Sequence, residues 1–176
     1  MIKVSVLMPM RNAAPYVLAA IQSVLQTDAV GIELLVIDDG STDASRSVVM
    51  SLDDSRITLL DGPCCGIAAC LNLGIQHATG EYVMRCDADD LFPLGRLEFQ
   101  VNWLESHVNH IALCGGFEMI NRNGVPVANP FQGDVVEILN ISPELMRGEL
   151  KTSLCTFCIR RTAISTIAML RSELFI

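Results

Sequence analysis

No stretch of this 176-residue chain approaches the ~20 consecutive apolar residues that a bilayer-spanning helix needs. An apolar run begins at once with Val4 to Met8, without the three-part layout of a secretory signal. Cations are scarce as well: 12 Lys and Arg stand against 20 Asp and Glu, for a net charge of −8, and they never cluster. Nucleic acids are gripped through grouped cations, so a nucleic-acid partner is excluded. The seven cysteines are odd in number and scattered through apolar segments, which suits reduced thiols in a cytosolic protein better than a disulfide framework. Cys155-x-x-Cys158 has neither a second pair nor a nearby His-x-x-His, and its flanks Leu154, Phe157 and Ile159 read as strand core rather than a zinc site. His107 and His110, near a helix end, read as surface residues. No G-x-G-x-x-G follows the first strand, no Walker lysine is present, and the glycine and terminal glutamate of an EF-hand are missing.

What is present is strongly apolar: 51% of residues, with 18% charged and a mean hydropathy of +0.41. The length suits one domain with a sizeable core. So apolar a composition implies a partner surface or a covering segment, and the reading is a cytoplasmic protein with peripheral contact at the inner face of the membrane. The first ninety residues alternate strand and helix: strands over 3–8, 33–37, 56–60 and 81–85, and helices over 13–26, 43–52 and 66–77. Ser41, Thr42 and Asp43 are candidate N-caps of the second helix. Apolar strands separated by amphipathic helices predict crossovers and an α/β fold, a mostly parallel central sheet flanked by helices on both faces. Beyond residue 92 the pattern loosens. It predicts a helix over 95–107, a strand over 111–120, a hairpin turn at the Asn-Arg-Asn-Gly of 121–124, a short helix opening at Ser142-Pro143-Glu144, a strand over 156–159 and a helix from Arg161 to about Leu170. Without repeats or linkers, the chain reads as a single domain over 1–176.

In such a sheet, ligands sit beyond the carboxyl ends of the strands. Three polar clusters fall there: Pro9 to Ala13 (PMRNA), Asp38 to Asp43 (DDGSTD) and Asp87 to Asp90 (DADD). Each alone is a loop, a cap or a solvated turn. Together they define one crevice. Three carboxylates within four positions, at Asp87, Asp89 and Asp90, repel one another unless a cation or hydrogen-bond donors hold them. Aspartate oxygens are hard ligands suited to Mg2+ or Mn2+, and such an ion neutralises a diphosphate.

The stretches VSVLMPMRNAAPYVLAAIQSVLQT, ELLVIDDGSTDAS, GIAACLNLGIQHATGEYVMRCDADD and RLEFQ resemble, in order and spacing, the family 2 glycosyltransferases, inverting enzymes of the GT-A fold. The resemblance covers roughly residues 3 to 170. It implies a nucleotide-sugar donor, usually a UDP-sugar, a divalent cation (Mn2+ or Mg2+) bound through the D-x-D, and a glycan or lipid-linked acceptor. Carried over by position, Pro9 and Arg11 line the uracil pocket, and Asp39 accepts hydrogen bonds from base or ribose while Asp38 braces its loop. Gly66 and Asn72 sit where the next helix nears the nucleotide. Asp87 approaches ribose or metal, Asp89 ligates the metal directly, and Asp90 is equally an N-terminal cap for the segment after it. Residues 1–92 then form the nucleotide-binding half and 93–176 the start of an acceptor-side half.

Two departures touch the nucleobase. Arg11 stands where the family often has a tyrosine, and an arginine stacks on a ring face or pairs with phosphate. Cys70-Leu71-Asn72 lacks the arginine of the common Ala-Arg-Asn. A third departure touches catalysis. The family's catalytic base belongs to an acidic motif after CIRRTAISTIAMLRSELFI, so the resemblance puts the general base beyond Ile176. The expectation is a piece truncated before that base, or a short family member, that binds UDP with Mn2+ and transfers sugar negligibly. Two other readings stand beside it: a sugar nucleotidyltransferase, which lacks here the glycine- and cation-rich loop after strand one, and a nucleotide-binding or assembly module without activity. Sugar, acceptor and oligomeric state are not legible in these residues.

Overall fold

A computed structural model describes residues 3–26, 31–127 and 153–164. Their element order is β1 (Val4–Met10), α1 (Val17–Leu25), β2 (Ile32–Asp38), α2 (Ser45–Met50), β3 (Ile57–Asp61), α3 (Ile67–His77), β4 (Tyr82–Arg85), α4 (Arg96–Ser106) and β5 (Ala112–Cys114). A 3₁₀ turn (Leu154–Thr156), β6 (Phe157–Arg160) and α5 (Arg161–Ile164) follow. The strands form one sheet in the order β3-β2-β1-β4-β6-β5. β3, β2, β1 and β4 run parallel, and β6 pairs antiparallel with both β4 and β5. The mostly parallel α/β sheet predicted from periodicity is thus the architecture observed.

Alternation along the central strands explains why the helices divide between two faces. Val4, Val6, Met8 and Met10, with Leu34, Val36 and Met84, pack against α1 and α4. Leu7, Leu35, Ile37 and Val83 point the other way, onto Cys70 and Leu71 of α3. Central strands buried on both sides must be apolar at nearly every position, and β1 and β2 are.

Several expectations needed correction. The strand over 111–120 stops at Cys114, where Gly115-Gly116 removes the side chains that would pack a strand. A tight turn survives beyond it: Asn121 N–H reaches Val125 O at 2.9 Å and Gly124, at φ +74°, closes onto Asn121 O. α1 begins only at Val17, because residues 13–16 form a turn first, and α2 spans only Ser45–Met50. The helix at Ser142-Pro143-Glu144 and the part of the last helix beyond Ile164 lie outside the described residues. So does Ile176, and with it the expected position of the general base beyond that residue. Among the described residues no helix is long and apolar enough to cross a membrane.

At the amino edge of the sheet, opposite the crevice, Glu33 of β2 gathers four donors on one carboxylate oxygen. Ser5 Oγ lies at 2.5 Å, Thr79 N–H at 2.7 Å, Thr79 Oγ1 at 2.8 Å and Gly80 N–H at 3.2 Å. Burial pushes this carboxyl up, but the donors outweigh it and hold Glu33 below its ordinary value. The cluster ties the α3–β4 connection to β1 and β2, fixing where β4 enters the sheet.

Candidate active site at the carboxyl edge of the sheet

Register brings the polar clusters to one edge. Met10, Asp38 and Asp61, the last residues of β1, β2 and β3, pair in a single row. β4 stops lower, with Arg85 level with Leu7 of β1, and Cys86 N–H, at 3.0 Å from Leu7 O, leads into the Asp87–Asp90 turn. Pro9 lies inside β1 and pairs with Ile37, and Arg11, exposed, follows the strand.

Side chains lace the first two loops together. Asn12 adopts φ +53°, a left-handed conformation that asparagine tolerates better than most residues. Its Oδ1 accepts Thr42 N–H at 2.8 Å, while its own N–H donates to Ser41 Oγ at 3.0 Å. Ala13 N–H donates to Ser45 Oγ at 2.7 Å and Ala14 N–H to Asp43 Oδ2 at 3.1 Å. Asp43 also accepts the Ser45 N–H at 2.9 Å, the local bond that starts α2.

The Asp38-Asp39 pair splits its work. Asp38 accepts Ser41 N–H at 2.9 Å and Arg46 Nη1 at 3.3 Å, and Arg46 reaches on to Asp61 at 2.7 Å. Burial raises its carboxyl, but Ser41 and the Arg46 guanidinium more than offset that and keep it below the ordinary carboxylate range. This is the loop brace expected of Asp38. Asp39, only 5% exposed, turns to the other side of the crevice. Its two oxygens accept Cys65 N–H at 3.2 Å and Gly66 N–H at 2.9 Å, immediately before α3. Burial pushes the Cys70 thiol up to about 12, and its hydrogen bond with the Asp39 carboxylate adds to the rise. Gly66 sits at φ +88°, ψ 177°, a region essentially reserved for glycine. Asn72 is half-buried one turn and a half into α3.

The Asp87–Asp90 turn closes by Asp90 N–H onto Asp87 O at 3.0 Å. Arg85 grips Asp87 with a two-point fork, Nε to Oδ1 at 2.6 Å and Nη2 to Oδ2 at 2.7 Å. Asp89 is exposed and makes no hydrogen bond or ion pair among the described residues. Burial raises the Asp90 carboxyl, and the charges of Asp87 and Asp89 raise it further.

RLEFQ, at the start of α4, anchors this turn. Arg96 lies with its guanidinium 4.0 Å over the Phe92 ring, and donates to Gln100 Oε1 at 3.0 Å and to Cys155 O. Gln100 Nε2 donates to Thr156 O at 2.9 Å and Leu113 O at 3.2 Å. Cys158 is fully buried in the strand core, where burial pushes its thiol up to about 12, and burial raises Cys155 too. Protonated thiols of this kind suit packing, as the flanks of that Cys-x-x-Cys suggested.

Sequence reasoning missed Arg46 and Arg85. Arg85 had a legible signal, a charge ending an otherwise apolar strand two residues before Asp87. Arg46 had none, since its partners Asp38 and Asp61 come from separate strands.

Among the described residues no group of three or more His, Cys, Asp and Glu side chains is arranged to hold a metal alone. An exposed, unpartnered aspartate two residues from a second one fits a different kind of site. Mg2+-type ions are commonly held by one or two carboxylates and completed by substrate phosphates.

The family model described as "Glycosyl transferase family 2" matches residues 5–176, and the chain belongs to that family. It is 36% identical over 123 residues (69% of this chain, 48% of that protein) to the UDP-Glc:alpha-D-GlcNAc-diphosphoundecaprenol beta-1,3-glucosyltransferase WfgD of Escherichia coli. The fold matches the crystal structure of S. aureus TarS 1–349 with a TM-score of 0.72 and 22% identity, over 94% of this chain and 49% of that one. The mannosyltransferase PcManGT from Pyrobaculum calidifontis, solved with GDP-Man and Mn2+, is 34% identical with a TM-score of 0.54, over 58% of this chain and 32% of that one. The chain thus spans about half the length, or less, of these relatives.

Proposed function

We propose that this chain carries the donor side of a metal-dependent, inverting glycosyltransferase that moves a sugar from a nucleotide-sugar, a UDP-sugar first, to an acceptor hydroxyl of a glycan or lipid-linked intermediate. One observation carries the reading: the Pro9–Ala13, Asp38–Asp43 and Asp87–Asp90 loops follow the carboxyl ends of three neighbouring parallel strands, the first two hydrogen-bonded to each other and the second to the α3 start. The relatives support a nucleotide donor, since WfgD is named for UDP-Glc, and TarS was solved with UDP-GlcNAc.

Pro9 and Arg11 line the base pocket, with the Arg11 guanidinium against the ring or a phosphate. Asp39 sets the Cys65–Gly66 backbone against the nucleotide and offers its remaining lone pairs to base or ribose. Gly66 and Asn72 bring α3 close. Asp89 would hold a Mn2+ or Mg2+ ion, and Asp87 the ion or the ribose. When bound, that ion supplies charge neutralisation for the departing diphosphate. The acceptor oxygen approaches the anomeric carbon opposite the leaving group, so the configuration inverts. Residues 1–92 carry the donor contacts. No general base is assigned to a described residue.

Thermal shift with Mn2+ and a panel of UDP-, GDP- and dTDP-sugars tests the donor class. UDP-sugars are expected to raise the melting temperature, since any ligand bound only to the folded state stabilises it. Equal shifts with GDP-sugars would move the base assignment, and no shift with any donor would overturn the reading.

A further inference from the structure

The fork between Arg85 and Asp87 is a feature that neither the sequence motifs nor the donor reading absorbs. Alternation along β4 sends Val83 onto α3 and Met84 onto α4, so Arg85 leaves the strand on the Val83 side. Its side chain is 15% exposed and that of Asp87 26%. A guanidinium held in so shielded a place acts on the neighbouring carboxylates with little screening. Both Asp87 oxygens already accept an N–H from a full positive charge, at 2.6 and 2.7 Å. Asp89, two residues on, is exposed and has no such partner among the described residues.

The two aspartates of the D-x-D are therefore not equivalent. A bare divalent cation arriving at Asp89 meets one exposed carboxylate, with Asp90 half-buried beside it and a fixed guanidinium already neutralising Asp87. A diphosphate reverses that balance, because its own oxygens add negative charge and further ligands. We propose that Arg85 is a positioning residue that makes divalent-cation binding at Asp87–Asp89 conditional on the nucleotide diphosphate. The inference rests on the donor reading above. Arg85 orients Asp87 and withholds its charge from a lone ion.

Direct Mn2+ binding to the whole chain, read from the electron paramagnetic resonance signal of free Mn2+ with and without UDP, tests this without any assay of transfer. The parent is expected to bind Mn2+ weakly alone and much more tightly with UDP. Arg85→Gln is expected to tighten nucleotide-free Mn2+ binding about 5–30-fold, the order expected for removing one shielded charge near a dication. The tightening by UDP should shrink to match. Arg85→Lys keeps the charge without the fork and stays within about threefold of the parent without UDP. Arg85→Met serves in place of glutamine if that variant does not fold.

Unchanged or weaker nucleotide-free binding in the neutral variants would overturn the role of Arg85, and a merely structural brace would give that result. Asp89→Asn separates the two claims. If the parent's UDP-dependent Mn2+ binding survives Asp89→Asn, the donor reading fails. If it is lost there while the Arg85 variants behave as the parent, only the inference fails.

Discussion

Glu33 shows how much one carboxylate can organise. Its four donors come from β1 and the α3–β4 connection, and they hold its carboxyl below the ordinary value despite burial. A folded-state value lowered in this way adds stability that is present above the ordinary value of 4.5 and is lost as pH falls through the folded one. Glu33→Gln is expected to cost about 1–2 kcal/mol at pH 7, the range of charge-assisted hydrogen bonds discounted for partial exposure. Melting temperatures of parent and variant should draw together as pH falls below the ordinary value of 4.5, and a gap that stays constant through acid would show that the charge does no such work. None of this was legible beforehand: an isolated glutamate opening an apolar strand gives no hint of Ser5, Thr79 or Gly80. The bracing role of Asp38 was implied by the family resemblance, and its bonds to Ser41 and Arg46 fit that role. The competing demand on Asp39 was not legible, since Cys65 and Gly66 belong to another loop.

At the level of elements, the start of α3 and the start of α4 carry the site. Gly66 has open space around the position of a Cβ, so a side chain there meets no clash and only the backbone objects. Gly66→Ala is accordingly expected to cost about 1–3 kcal/mol, and to weaken UDP binding by loosening the Asp39 contacts. Denaturant titration and calorimetry on the same variant check both halves. Gln100→Leu removes the donor from the Thr156 and Leu113 carbonyls and is expected to destabilise by about 1–3 kcal/mol, measured by the denaturant midpoint at unchanged slope. Periodicity made most of these elements readable, because strands buried on both faces must be apolar throughout and each helix needs one apolar side. The strand expected over 111–120 misled because its apolar run straddles Gly115-Gly116, and composition alone does not say where packing stops. RLEFQ could be quoted as a motif, yet its work, locking α4 to the segment before β6, depends on a contact more than fifty residues away.

For the molecule as a whole, the crevice is a product of register. Parallel pairing aligns the ends of β1, β2 and β3, and the lower end of β4 leaves room for the acidic turn beside them. That arrangement follows from the alternation of strand and helix, which is why the placement of the polar clusters at strand ends could be read from the sequence while their ion pairs could not. The central proposal is that Asp89 and a divalent cation together hold a nucleotide diphosphate at this edge. Isothermal calorimetry with UDP, with and without Mn2+, on the parent and on Asp89→Ala tests that claim most directly. The expected result is UDP binding that needs Mn2+ in the parent and is lost in the variant. UDP binding that is independent of the metal and indifferent to Asp89→Ala would contradict it.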